Sequence, residues 1–163
     1  MIYSFRAMTP DWAQAISLWS YPPPYDIYDA RGTQEAIEEY LGGSYYAALD
    51  GAEELSGFSC FGTSAQVPAE HDCGAYDRPG LLDLGLGLRP DLCGRGLGLA
   101  FLHSAMAFGK DRFGPEGYRL TVAAFNARAM RVYRRAGFVS IARFVRRSGE
   151  ADREFVVMSR EIA

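Results

Sequence analysis

The sequence predicts an α/β (α+β) fold, one sheet covered by helices, and three observations lead there. Short runs alternate apolar and polar residues or are nearly continuously apolar, as strands do. Other runs repeat apolar residues at helical spacing. In chain order the two kinds read βααββ and then βαβαββ, which favours a sheet with packed helices over a bundle or a sandwich. A length of 163 residues suits one core, so residues 1–163 are expected to form a single domain.

Each element has a local cause. Ile2 to Arg6 alternates as a short strand, and Thr9-Pro10-Asp11 starts a helix to about Trp19, with Thr9 as cap and Pro10 in the first turn. Tyr21-Pro22-Pro23-Pro24-Tyr25 excludes helix interior and central strand, so it is a loop. In QEAIEEYLGG, Ala36, Ile37, Tyr40 and Leu41 share a helical face, and Gly42-Gly43 ends the run. Tyr45–Leu49 and Leu55–Phe61 read as a hairpin around Asp50-Gly51. Residues 62–80 carry turn formers without periodicity and are expected to be a long loop, a kind often functional or mobile. Leu81–Leu88 alternates strictly, and the helix after it places Leu97, Phe101, Ala105 and Phe108 on one stripe. Tyr118–Phe125 is an apolar strand, and NARAMRVYRRAG is a helix with Ala129, Val132, Tyr133 and Ala136 inward. Strands near 138–145 and 153–158 close the chain.

Composition narrows the function. Seventeen Lys plus Arg against twenty Asp plus Glu give a net charge of −3, so no global positive field attracts nucleic acid or an anionic membrane. Three cysteines, Cys60, Cys73 and Cys93, show no C-x-x-C spacing, which points to neither a disulfide framework nor a zinc site. No metal is expected. His71-Asp72-Cys73 are neighbours on a loop, where adjacent side chains rarely converge on one ion. There is neither a signal-peptide plan at the start nor an apolar run long enough to span a bilayer, so a cytoplasmic location is expected.

The strongest signal is the strand Leu81–Leu88 delivering Cys93-Gly94-Arg95-Gly96-Leu97-Gly98 into a helix. Unpaired amides at a helix start, with the helix dipole behind them, cradle a phosphate or pyrophosphate, and Arg95 can add charge. The same glycines would also serve a turn chosen only for packing. Neither nucleotide motif fits: a Walker A loop lacks its lysine, and G-x-G-x-G replaces the dinucleotide G-x-G-x-x-G, which leaves a Rossmann-type oxidoreductase a poor third reading. Period-2 geometry puts Leu82, Leu84, Leu86 and Leu88 on one face and Asp83, Gly85 and Gly87 on the other, where alternate glycines suggest a bulge or close approach by a ligand.

About thirty residues later comes Asn126-x-x-Ala129-x-x-x-Tyr133-x-x-x-Gly137-Phe138. Asn126 and Tyr133 lie two helical turns apart and share a face about 10 Å long. On their own they read equally as an N-cap and a core aromatic, with Gly137 ending the helix. The pair of motifs resembles the GNAT superfamily of acyl-CoA-dependent N-acetyltransferases, in detail over Leu81–Phe138, although Cys93 stands where that family usually has Gln or Arg.

The resemblance implies a GNAT-like central mixed, mostly antiparallel sheet, splayed in the middle, with helices on both faces. It implies acetyl-CoA as co-substrate, its pantetheine arm along Leu86, Gly87 and Leu88, and its pyrophosphate over Gly94, Arg95, Gly96, Leu97, Gly98 and Leu99. Asn126 and Tyr133 join the cofactor-binding set, and the Leu88 amide becomes an oxyanion donor. Tyr133, a phenol, is the expected general acid for the departing thiolate, and Asp83 is the candidate base, with an ordered-water path as its alternative. One of Arg128, Arg131, Arg134 and Arg135 would meet the CoA 3′-phosphate.

In relatives the segment matching Trp19 to Tyr28 lines the acceptor side of the cleft, so the resemblance implies Tyr25 and Tyr28 as acceptor-binding residues. Their aromatic faces, beside Asp26 and Asp29, suit an ammonium-bearing ligand and equally the packing of an exposed connection. The expected partner is thus a small-molecule or peptide amine, with no nucleic acid and no membrane, and a homodimer is allowed. The activity implied is direct transfer of acetyl to an amine through a ternary complex. The alternative is a noncatalytic acyl-CoA-binding or regulatory module on the same fold.

Overall fold

The strands are β1 (Ser4–Ala7), β2 (Tyr45–Leu49), β3 (Leu55–Phe61), β4 (Leu81–Leu88), β5 (Gly117–Ala123), β6 (Val139–Ser148) and β7 (Ala151–Glu161), and the helices are α1 (Pro10–Ser17), α2 (Gln34–Tyr40), α3 (Gly98–Phe113) and α4 (Ala127–Arg135). They come from a computed structural model that describes residues 2–148 and 151–162. The strands form an open sheet in the order β1-β2-β3-β4-β5-β7-β6. Pairing is antiparallel for β1–β2, β2–β3, β5–β7 and β6–β7, whereas β4 and β5 run parallel from Leu81↔Gly117 to Asp83↔Arg119.

The chain forms two compact units, Met1–Cys60 with Leu86–Ala105 and Phe61–Gly85 with Met106–Ala163. In the first, both short helices start at the threonines their sequences offer. Thr9 accepts from the Trp12 amide and Thr33 from the Ala36 amide, each at 3.3 Å, which satisfies a donor that a helix start leaves without a partner. The hairpin strands have the bounds expected, and residues 50–54 connect them. The Asp50 carboxylate accepts from the amides of Ala52 and Glu54, and the Asp50 amide donates to the Glu54 carbonyl. An Asp side chain bonding its own backbone stabilises this loop. Tyr3, Ala48 and Phe101 form the centre of this unit, with Phe5, Leu86 and Leu88 packed on it.

The second unit buries Leu84, Leu120, Val156, Val157, Met158 and Phe138. Each contributes about 1.5–3 kcal/mol by leaving water. Its loop from Gly62 is pinned rather than loose: the Tyr76 hydroxyl bonds the Val67 backbone and Thr121, and the Arg119 guanidinium lies 5.2 Å over the Tyr76 ring. The last two strands run longer than their apolar cores suggest. Beyond those cores the ladder carries the charge pair of Arg147 with Asp152 at 3.0 Å, and within them Arg143 bonds Glu154 across the strands at 2.7 Å. Along α3 the buried residues are Phe101, Leu102, Ala105 and Met106, with Gly109. Leu97 and Phe108 are only half-buried, so the stripe is rotated from the one expected, and His103 faces solvent.

Candidate functional site

The end of β4 has a defined edge. The Arg89 amide donates to the Ser56 carbonyl at 2.8 Å, and the Gly87 carbonyl lies against Gly57, so both point to β3. Along a strand, neighbouring residues aim their backbone groups to opposite sides. The amide and carbonyl of Leu88 therefore both face the edge away from β3. On that edge the Tyr21 hydroxyl donates to the Leu88 carbonyl at 2.6 Å.

The bare face of Gly87 has a neighbour inside the protein. A Cβ there would collide with the Phe58 ring, and one on Gly57 would come within 2.8 Å of the Phe101 ring. A bulge or close approach by a ligand was the expected reason for glycine at 87; the group that fills this space is instead the Phe58 side chain. Behind Phe58 stands an aromatic cluster: Trp19 stacks on it at 6.3 Å, Tyr40 lies at 6.0 Å and Tyr45 at 5.8 Å, and the Tyr45 hydroxyl donates to Glu39 at 3.2 Å.

After β4 the chain turns once through Pro90–Leu92 and enters the glycine segment. The turn is braced by Arg89, which binds Asp91 at 2.6 Å and the Leu55 carbonyl at 2.7 Å. Gly96 has φ +77°, a conformation that costs an L-residue about 1–2 kcal/mol, and a Cβ there would meet nothing within 4 Å. Its surroundings are open. Gly94, Arg95 and Gly96 are exposed, Leu97, Gly98 and Leu99 half-buried, and α3 begins at Gly98 with first-turn amides that no helical carbonyl can accept. Charge, dipole and open backbone thus fit an anionic diphosphate.

Asp83, Asn126 and Tyr133 belong to the second unit. Asn126 caps α4, its Oδ1 accepting from the Ala129 amide at 3.0 Å. At the other end the Phe138 amide donates to the Tyr133 carbonyl and the Gly137 amide to the Arg134 carbonyl, both at 3.0 Å, with Gly137 at φ +90°. This is a Schellman ending, and its customary apolar contact is the Tyr133 ring against Phe138, 6.3 Å apart. The spacing Asn-x-x-Ala-x-x-x-Tyr-x-x-x-Gly-Phe therefore spells a helix closed at both ends that holds Tyr133 by its last turn. Arg128, Arg131, Arg134 and Arg135 are all exposed.

The expectation of Asp83 as general base is corrected by its surroundings. Its side chain is 6% exposed, its Oδ1 accepts from Arg119 Nε at 2.7 Å, and its Oδ2 accepts from Arg119 Nη2 at 2.7 Å and Gln66 Nε2 at 2.9 Å. A base must reach the proton it takes. These lone pairs are directed at Arg119 and Gln66, and protonation would break a buried ion pair. Sequence reading missed both partners because they lie 36 and 17 residues away.

Tyr25 and Tyr28 stand on a single turn, Tyr25–Tyr28, half-buried and exposed respectively. Asp29 serves its own segment, accepting from the Tyr21 amide at 2.9 Å and the Ser20 hydroxyl at 3.5 Å. His71 and Cys73 are exposed, and Asp72 closes a turn onto the Gly74 amide. Among the described residues no three His, Cys, Asp or Glu side chains gather as metal ligands would, and no helix is long and apolar enough to cross a membrane.

The sheet order, the β4 edge and the glycine turn define an open, mostly antiparallel α/β fold with a candidate anion site, and comparison gives the family. The model of the acetyltransferase (GNAT) domain matches residues 3–139, and the chain belongs to that family. Solved structures with this fold include a protein assigned as a phosphinothricin N-acetyltransferase, 16% identical with a TM-score of 0.73 over 99% of both chains. A GNAT-family acetyltransferase from Bacillus anthracis is 12% identical, TM-score 0.70, over 99% of this chain and 95% of that one. A chimera of the spermidine N-acetyltransferase SpeG from Vibrio cholerae and hSSAT is 13% identical, TM-score 0.67, over 99% and 96%. At such identities the likeness is one of fold. A comparison with curated proteins finds no match.

Proposed function

We propose that this chain is an N-acetyltransferase that moves acetyl from acetyl-CoA directly to an amine, with residues 1–163 working as one domain. The observation that carries the reading is the Leu88 amide, turned away from β3 and followed within a few residues by an open glycine turn at the start of α3. One donates to a carbonyl oxygen as it gains charge, and the other receives a diphosphate. Acetyl-CoA supplies the activated acyl group.

The amine nitrogen attacks the thioester carbon while the Leu88 amide holds the oxygen, and the carbon–sulfur bond then breaks. Tyr133 gives its proton to the departing sulfur, and the amine's proton leaves along ordered water, since Asp83 is engaged with Arg119. No activated nucleophile intervenes, so acceleration comes from positioning, carbonyl polarisation and proton handling. The three cysteines are free thiols, in keeping with a cytoplasmic enzyme.

For the acceptor we favour an ammonium-bearing amine, bound near Tyr25 and Tyr28. The Trp19–Phe58–Tyr40–Tyr45 cluster and Glu39 lie in the same unit and supply further aromatic faces and a carboxylate. The fold is also that of the spermidine enzyme named above. The deciding experiment follows CoA thiol release from acetyl-CoA across amines of matched size, cationic and neutral, in the parent and in Tyr28→Ala. Cationic amines turning over faster, with a raised acceptor KM in the variant, support the assignment. Acetyl-CoA binding without turnover on any amine would make the chain a binding module instead.

A further inference from the structure

We propose that Tyr21 is a positioning residue for the acyl carbonyl: by holding the Leu88 carbonyl it fixes the direction in which the Leu88 amide points. The inference rests on the acetyl-transfer reading above and adds a residue to it. The peptide unit joining Leu88 to Arg89 is clamped from both sides. Its oxygen accepts from the Tyr21 hydroxyl at 2.6 Å, and its N–H donates to the Ser56 carbonyl at 2.8 Å. The Leu88 amide lies in the preceding unit, whose Gly87 carbonyl lies against Gly57 of β3, so anchoring the unit that follows leaves Leu88 held on both sides.

Tyr21 is itself held in place. Its amide donates to Asp29 Oδ1 at 2.9 Å, which fixes the backbone from which the ring projects within the segment between α1 and α2. Burial raises the phenol's pKa well above the ordinary value, with Cys93, Tyr40 and Asp29 adding to the effect, so the hydroxyl keeps its proton wherever the enzyme works. The phenol also shares an edge with the Leu88 amide. By occupying the Leu88 carbonyl it leaves the amide as that residue's group for a ligand, which sets one register for the thioester. A tyrosine serving only as packing needs none of this, because a phenyl ring fills the same space.

The test uses Tyr21→Phe, which keeps the ring and removes the hydroxyl. Carbonyl-labelled acetyl-CoA is bound to parent and variant and its thioester band read by isotope-edited infrared spectroscopy, with affinity from calorimetry, kcat on the best amine from the screen, and thermal unfolding to confirm the fold. The parent band should lie below that of free acetyl-CoA. In the variant it should broaden and return toward the free position, with Kd within about twofold and kcat lower by about 10- to 100-fold, the scale of a misplaced reacting group. A folded variant with an unshifted band and parental kcat overturns the role of Tyr21 alone. A parent that neither binds acetyl-CoA nor shifts its band brings down the acetyl-transfer reading and this inference with it.

Discussion

At the scale of single residues, Tyr133 and Asp83 separate two uses of a titratable group. Tyr133 is kept half-buried by the end of α4 and by Phe138, so replacing it with phenylalanine keeps the ring contact and removes only the hydroxyl. Tyr133→Phe is expected to bind acetyl-CoA normally and to lose about 10²- to 10⁴-fold in kcat, the range for a positioned acid, as stopped-flow thiol release will show. Asp83 is the opposite case. Asp83→Asn leaves the Arg119 guanidinium buried without its counter-charge, and the variant should lose about 3–5 kcal/mol in urea unfolding. Its pH–rate profile should keep the parental basic limb. A displaced limb at unchanged stability would return Asp83 to the proton path.

At the scale of elements, two glycines on either side of the β4 end, Gly87 and Gly96, mean different things, and substitution distinguishes them. Gly87 has ordinary strand conformation and no room, because Phe58 fills the space of a side chain. Gly87→Ala should cost about 1–3 kcal/mol by overpacking, and Phe58→Leu should recover part of that loss in the double variant. Gly96 has ample room and an unfavourable φ of +77°. Gly96→Val should fold with a modest loss of stability and lose acetyl-CoA binding by calorimetry, because a side chain would rise where the diphosphate is proposed to lie. Unchanged affinity would move the diphosphate elsewhere.

Over the whole molecule, burial acts in one direction on the phenols. Tyr3, Tyr21, Tyr40, Tyr45, Tyr76 and Tyr118 all have pKa values raised above the ordinary one, with loss of water as the largest cause in each. Such groups bind their protons more tightly folded than unfolded. Their contribution to stability is complete below the unfolded value of about 10 and is lost as pH rises toward the folded values. Denaturation midpoints should therefore stay level through neutral pH and fall above about pH 10, with tyrosinate absorbance appearing together with unfolding. Tyrosinate forming while the midpoint holds would contradict the buried placement.

The sequence by itself determined what depends on near neighbours. Thr9 and Thr33 cap the helices they precede, β2 and β3 span the strand-like runs on either side of Asp50-Gly51, β4 spans the alternating run 81–88, and Asn126 through Phe138 carries both ends of α4 within thirteen residues. The glycine turn and its helix were legible for the same reason, since dihedral preference and helix polarity are local properties. Tertiary structure alone decided which side chains meet across the fold. Asp83 reads as an open carboxylate until Arg119 closes on it, and nothing near Tyr21 announces a hydrogen bond to Leu88, 67 residues on. Gly87 faces Phe58 for the same cause. Hydrogen bonding and exclusion of volume act through space, and strand pairing, which brings such groups within reach, is set by the packing of the entire sheet rather than by any one segment.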